Sequence, residues 1–161
     1  MKGIGKTIRR RRMENKTDYK ARLGFLKSGR PRVVIRRTNK YVIVQIVESD
    51  IAQDRVLFGA SSKDLISKGW PKEAEGSLKS LPACYLTGLL LAKKAKDIKE
   101  PIVDIGLHRN VQGNRIFAVV KGLVDGGLSV PHNSEALPSE ERLSNERVEK
   151  FYDKVKEKIS K

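Results

Sequence analysis

The sequence predicts an α/β domain on a mixed β-sheet. An antiparallel three-stranded meander comes first, followed by α-β-α, with a basic N-terminal arm before it and a helix at the C-terminal end. Three observations predict this. Runs rich in β-branched residues at 32–37, 41–47 and 55–60 are separated by short polar loops. The apolar period then changes to a helical one in SLPACYLTGLLLAKKAKD, from Ser80. Beyond it, strand and helix patterns alternate, which favours a parallel pair joined by a right-handed crossover.

Taken in order, residues 1–31 read as an arm that ends in the turn signal Ser28-Gly29-Arg30-Pro31. A short helix is expected over 17–26, with Asp18 favouring its first turn and Leu23, Phe25 and Leu26 pinning it to the body. RVVIRR (32–37) is the first strand, Thr38-Asn39-Lys40 the hairpin loop, YVIVQIV (41–47) the second strand and RVLFGA (55–60) the third. In the helix after Ser80, Leu81, Tyr85, Leu89 and Ala92 form one stripe, with Leu86 and Leu90 beside it. Pro82 suits a first turn, where its missing N–H costs nothing. Lys93, Lys94 and Lys96 suit the negative end of the helix dipole.

IVDIGL (102–107) reads as a buried strand. A second amphipathic helix carries Ile116 to Val124, and Gly126-Gly127 stop it. Residues 128–130 read as a short extended piece and 133–145 as polar loop. Val148, Phe151, Tyr152, Val155 and Ile159 mark a last helix, capped by Ser144 or Asn145. The expected organisation is an RNA-binding arm over 1–31, an α/β domain over 32–131, and a C-terminal loop and helix over 132–161.

Charge is the sharpest compositional signal. The chain carries 34 Lys+Arg and 19 Asp+Glu, for a formal net charge of +15. Residues 1–40 hold 15 of the basic residues and only two acids, Glu14 and Asp18, so +13 of the charge sits there. A nearly neutral body with a polycationic head attracts polyanions. Arg9, Arg10, Arg11 and Arg12 stand in a row, joined by Lys16 and Arg22, and Arg forks match phosphate oxygens. Tyr19 suits stacking on an unpaired base. Arg30, Arg32, Arg36, Arg37 and Lys40 carry the charge onto the first hairpin. A solvated tail or localisation signal would also hold a basic run, but here the charge continues onto a structured strand, which favours nucleic acid. No zinc-finger, leucine-zipper or helix-turn-helix pattern supports DNA, and the aromatic RNP signature is missing. Irregular structured RNA, held by an arm that orders on contact, is the remaining reading.

Catalysis is not supported. Cys84 is the single cysteine; it forms no intrachain disulfide, cannot build a zinc site alone, and reads as a small core residue. His108 follows a strand end and could in principle meet Asp104, though a loop or RNA contact is simpler. Asp125-Gly126-Gly127 follows a helix instead of opening one, so it is a helix stop and not a phosphate loop. No catalytic set, metal cluster or cofactor motif assembles. Trp70 in KGWP reads as a loop anchor. No apolar run reaches the ~20 residues of a membrane span, and the basic start lacks the apolar stretch of a signal peptide, so no membrane partner is expected.

RRRRMENKTDYKARLGFLKSGRPRVVIRRTNKYVIVQ, the GW pair, LPACYLTGLLLAKKA, DIGLHRN and FAVVKGLVDGGLSVPHNSEALPSEER occur in that order and cover nearly the whole chain from Arg9 to Arg142. Together they resemble the archaeal large-subunit ribosomal protein L eighteen family, homologous to the eukaryotic ribosomal protein L five. The RRRR…KTDY block and PACYLTGLL are the most specific parts. The resemblance implies a non-enzymatic, cytoplasmic, archaeal-type ribosomal protein that is monomeric within the ribosome. It implies that 5S rRNA is bound and attached to the large-subunit rRNA in the central protuberance. Neighbouring ribosomal proteins, including the bacterial-type L five protein, are implied partners. The implied arm contacts are Arg9–Arg12, Lys16, Thr17, Tyr19 and Arg22. The segment 110–115 departs from the loop associated with archaeal members, and the long C-terminal extension of eukaryotic members is missing.

Overall fold

A computed structural model describes residues 7–8, 10–50, 53–143 and 146–160. Its strands are β1 (Arg32–Arg37), β2 (Val42–Asp50), β3 (Gln53–Ser61) and β4 (Ile102–Asp104). Its helices are α1 (Arg10–Met13), α2 (Tyr19–Ser28), α3 (Leu81–Lys94), α4 (Arg115–Asp125), α5 (Glu140–Leu143) and α6 (Glu146–Ser160). The sheet order is β3-β2-β1-β4. β1–β2 and β2–β3 pair antiparallel, while β1–β4 pair parallel. The mixed α/β fold with its meander and parallel crossover is therefore present.

Strand alternation sorts the sheet into two unlike faces. Val33, Ile35, Val42, Val44, Ile46 and Ala60 are buried in the core on one face. Arg32, Val34 and Arg36 alternate with Val33 and Ile35 and so occupy the other. A register shift between Ile46 and Val47 breaks the alternation in β2 and leaves both buried.

α3 lies against β2, β3, α4 and α6. The expected single stripe is corrected here: every residue from Pro82 to Ala92 is buried, including Cys84, Thr87 and Gly88. A helix packed from several sides has no polar face to show, as a fully buried helix must. Thr87 satisfies its hydroxyl by donating to the Ala83 carbonyl at 2.7 Å. α3 and α4 cross so closely that a Cβ on Gly122 would clash with the Tyr85 carbonyl, and one on Gly88 with the Val119 carbonyl. Asn114 caps α4 by accepting from the backbone of Ile116 and Phe117. Gly127, at φ 96°, turns the chain away after it.

Other boundaries move. Helix α2 starts at Tyr19, where Asp18 accepts from Lys20 N–H and Ala21 N–H. It has no buried residue and Leu23 is exposed, so Leu23 does not pin it. The expected strand over 102–107 ends at Asp104, because Gly106, at φ 61°, bends the chain. The piece 128–130 packs Leu128 and Val130 in the core without joining the sheet; its Val130 N–H turns back to the Leu128 carbonyl. The loop over 133–145 contains a 3-10 turn at Ser134–Ala136 and the helix α5.

Helix α6 closes the core with Val155 and Ile159. Ser144 and Asn145, its expected caps, lie outside the described residues, as does the side chain of Val148. Trp70 is 1% exposed, donates to the Ala74 carbonyl, and meets Phe151 edge-on at 4.8 Å between ring centroids. It anchors its loop and seats α6 at once. No described helix is long and apolar enough to cross a membrane.

Gly122→Ala separates propensity from packing. Ala favours a helix interior by about 1 kcal/mol over Gly, yet the Cβ meets rigid backbone. A net loss of about 2 kcal/mol or more is expected, measured by urea unfolding.

Candidate nucleic-acid interface

The face of the sheet opposite the core is organised by charge. Arg32 is 3% exposed. One Nη donates to Ser49 Oγ at 2.9 Å and pairs with Asp54 at 2.8 Å; the other pairs with Asp104 at 3.3 Å. A single side chain on β1 thus touches residues of β2, β3 and β4. The carboxylates extend the chain of charges. Asp54 also pairs with Arg22 of α2 at 3.1 Å, and Asp104 with Arg36 at 3.0 Å. The series runs Arg22–Asp54–Arg32–Asp104–Arg36. Gly106 completes it: its N–H donates to Asp104 Oδ1, and its missing Cβ leaves room for the Arg36 guanidinium.

Burial pushes the Asp54 carboxyl up, but the Ser49 hydroxyl and the Arg22 and Arg32 charges outweigh it and hold the pKa below the ordinary carboxylate value. His108 is held below its ordinary value by burial and by Arg37 and Arg36. A neutral ring suits its contact, because His108 Nε2 accepts from the Arg37 backbone N–H at 3.3 Å. His108 therefore pairs with β1, and the alternative pairing with Asp104 is not formed. Burial pushes the Cys84 thiol up to about 12, against the pull of Arg115 and Arg37. It stays protonated and inert, as a core residue does.

The arm lies beside this face. α1 presents Arg10, Arg11 and Arg12 to solvent without burying any residue. Arg11 Nε donates to Thr17 Oγ1 at 2.8 Å, so Thr17 orients an arginine. Glu14 pairs with Lys16 at 2.9 Å and lies 4.0 Å from Arg10. Between arm and sheet is a cleft of 390 Å³, with Arg11, Lys16, Arg22 and Phe25 on one wall and Arg36 and residues 103–108 on the other.

The structure sorts the sequence-predicted residues into three places. Arg10–Arg12, Lys16, Thr17, Tyr19 and Arg22 belong to the arm, with Tyr19 half-buried at the start of α2. Arg9 lies outside the described residues. Arg32 and Arg36 join the charge series, and Arg32 has no exposed donor to offer. Arg30 sits at the entry to β1 and pairs with Glu100 at 3.4 Å. Arg37 and Lys40 are exposed at the far end of the hairpin. Sequence reasoning missed Asp54 and Asp104 as partners. Their one signal was acidic residues in strand contexts, facing a cationic strand.

The protein family described as "Ribosomal large subunit proteins 60S L5, and 50S L18" matches residues 6–100 and 94–133. The chain belongs to this family. It is 46% identical over 153 residues to the large ribosomal subunit protein uL18 of Korarchaeum cryptofilum, covering 94% of this chain and 76% of that protein. The uL18 protein of Methanococcus maripaludis is 45% identical over 150 residues, covering 92% and 76%. That of Aeropyrum pernix is 41% identical over 151 residues, covering 92% and 69%. The family is structural and non-enzymatic, consistent with a face built from ion pairs and not from a nucleophile and base.

Arg32→Met leaves Asp54 and Asp104 without their shared cation, and breaking a buried pair this way costs about 3–5 kcal/mol. The pH dependence has a defined sign. A lowered folded pKa makes the Asp54 contribution complete above its unfolded value and lost as pH falls through the folded one. Urea unfolding from pH 6 down to pH 2 checks both: the wild type loses stability below about pH 4, and Arg32→Met, already weakened, loses less over that range.

Proposed function

We propose that this large-subunit ribosomal protein binds 5S rRNA through its arm and helps attach it to the large-subunit rRNA in the central protuberance. One observation carries the reading. Arg22 fastens α2 to the charged face of the sheet, and the cationic α1 just before it in the chain stays exposed. A polycation held at a fixed place binds a folded polyanion with less ordering cost than a free tail.

In this reading Arg9–Arg12 and Lys16 neutralise phosphates, and Arg22, held by Asp54 but one-third exposed, turns its remaining donors to the RNA, with Thr17 orienting Arg11 and Tyr19 fixing the register. Arg30, Arg36, Arg37 and Lys40 extend the surface. Arg32 acts as a positioning residue, because its charge is used by Asp54 and Asp104. Residues 1–31 are the RNA-binding unit, and the body mounts it in a cytoplasmic ribosome as a single copy beside other ribosomal proteins. The bacterial-type L five protein is the expected neighbour.

Replacing Arg10, Arg11, Arg12 and Lys16 together with Gln tests it. These side chains are exposed, so the melting temperature should hold. Each lost phosphate contact lowers the log–log salt slope by roughly 0.7–0.9, so four should flatten it by roughly 3. The measurement is a titration of 5S rRNA at several salt concentrations. An unchanged slope would remove the arm from the interface.

A further inference from the structure

A smaller cleft lies where α3, α4, α5 and α6 meet, and its chemistry is the opposite of the arm's. We propose that this cleft is a docking socket for a cationic side chain, an arginine above all, of a partner protein, and that the chain's own Lys156 fills it until the partner displaces it. The inference goes beyond the RNA reading, because it assigns a contact with protein and does not depend on the arm.

The cleft measures 210 Å³. Tyr85 of α3 and Tyr152 of α6 are its aromatic walls, and Leu143 of α5 adds a buried apolar contact. The two ring centroids stand 6.2 Å apart, with 37° between the planes. Lys156 Nζ lies 5.7 Å from the Tyr85 centroid and 5.9 Å from the Tyr152 centroid. Both distances fall inside the ~6 Å over which a ring face attracts a cation. The pair of rings therefore already holds an ammonium. That occupancy is the direct sign of what the cleft accepts.

The carboxylates are a separate observation. Asp125 of α4, Glu140 of α5 and Asp153 of α6 line the same cleft. Among the described residues, none of the three forms an ion pair. The two lysines of the cleft are engaged elsewhere. Lys121 Nζ donates to the Pro138 carbonyl at 3.0 Å, and Lys156 stays over the rings. The fields of the carboxylates nonetheless converge. The Tyr152 phenol is pushed up to about 12, by burial first and then by Asp153, Asp125 and Glu140. Three acidic groups from three helices thus act on one neutral ring, on a chain of net charge +15.

The socket is built before any partner arrives. Tyr85 is held in the close crossing of α3 and α4, where Gly122 leaves room for its carbonyl, and its hydroxyl donates to Asp125 Oδ2 at 2.9 Å. Lys156, by contrast, is exposed, so its flexible stem can swing out. An ammonium is a point charge, and over the rings it leaves the carboxylates unpaired. A guanidinium stacks flat on an aromatic face and still offers planar forks to carboxylates. Arginine therefore satisfies both halves of the cleft at once, and arginine and tyrosine are the side chains on which protein interfaces most often turn. The same three carboxylates repel phosphate, so the fitting occupant is a basic protein segment and not RNA.

The test uses the full chain and a capped Gly-Arg-Gly tripeptide at fixed ionic strength, with capped Gly-Ala-Gly as the control. Side-chain NMR reads the ring protons of Tyr85 and Tyr152 and the ε-methylene of Lys156. The arginine peptide should shift both rings with a dissociation constant of about 1–10 mM, and should move the Lys156 methylene out of the ring-current field. The alanine peptide should do neither. Glu140→Gln/Asp153→Asn should weaken binding about tenfold at an unchanged melting temperature, because both side chains are exposed. Lys156→Ala should tighten binding about threefold, because the competing cation is gone. An arginine peptide that leaves the rings unmoved overturns the proposal. So does a Lys156→Ala protein that binds more weakly, since the lysine then supports the cleft instead of filling it. A uridine trinucleotide that shifts the same signals assigns the cleft to RNA, and spermidine binding where the peptide does not assigns it to a free polyamine; either result also overturns it.

Discussion

Arg32 has to keep a full positive charge with 3% of its surface exposed, and every strand of the sheet takes part in satisfying it. β1 carries it, Ser49 of β2 accepts one of its N–H groups, and Asp54 of β3 and Asp104 of β4 supply the counter-charges. Burying such a charge costs several kcal/mol before pairing, and the pairing must be nearly complete to offset it. The planar guanidinium makes this feasible, because its donors point in fixed directions toward separate acceptors. A lysine ammonium is a point charge and could not span the same three strands. Measured against a well-packed apolar replacement of the whole series, such pairing is close to neutral, although removing one member alone is costly. Its effect is to fix which strands lie together on this face, and where a helix from outside the sheet can attach.

That attachment links fold to function. The opposite face is secured by apolar packing against a helix buried along nearly its whole length, with backbone-to-backbone contact at Gly88 and Gly122. Stability can therefore reside on one face, leaving the other free to be polar. Arg22 uses the spare acceptor of Asp54 to bring α2 to that polar face, and α1 follows. The proposed RNA surface then needs no core of its own. It borrows position from a sheet already held from behind.

The parts legible in the sequence share a local cause. The β-branched runs, Asp18 at the start of α2, Pro82 in the first turn of α3 and the glycine stop after α4 are each set by neighbours a few residues away. What was missed is non-local. Alternation puts Arg32 opposite Val33 and Ile35, but it does not say that Asp54 and Asp104, 22 and 72 residues away, will cover it. A stripe of Leu81, Tyr85, Leu89 and Ala92 reads as one apolar face, since a sequence does not reveal how many elements will surround a helix. Arg37 reads like its neighbours on β1, yet the strand carries it to the far end, where it lines one cleft with Arg109, Arg115 and Arg142 from segments far along the chain.

The central claim is that position, and not charge alone, makes the arm an RNA ligand. Asp54→Asn separates the two. It removes one acidic group, so a purely electrostatic arm would bind polyanions more tightly. It also releases Arg22 and weakens the hold on Arg32, so α2 loses its attachment to the sheet. The measurement is the 5S rRNA dissociation constant of this variant at fixed moderate salt, with circular dichroism confirming the fold. Weaker binding than the wild type is expected despite the higher net charge. Equal or tighter binding by a folded Asp54→Asn protein would contradict it.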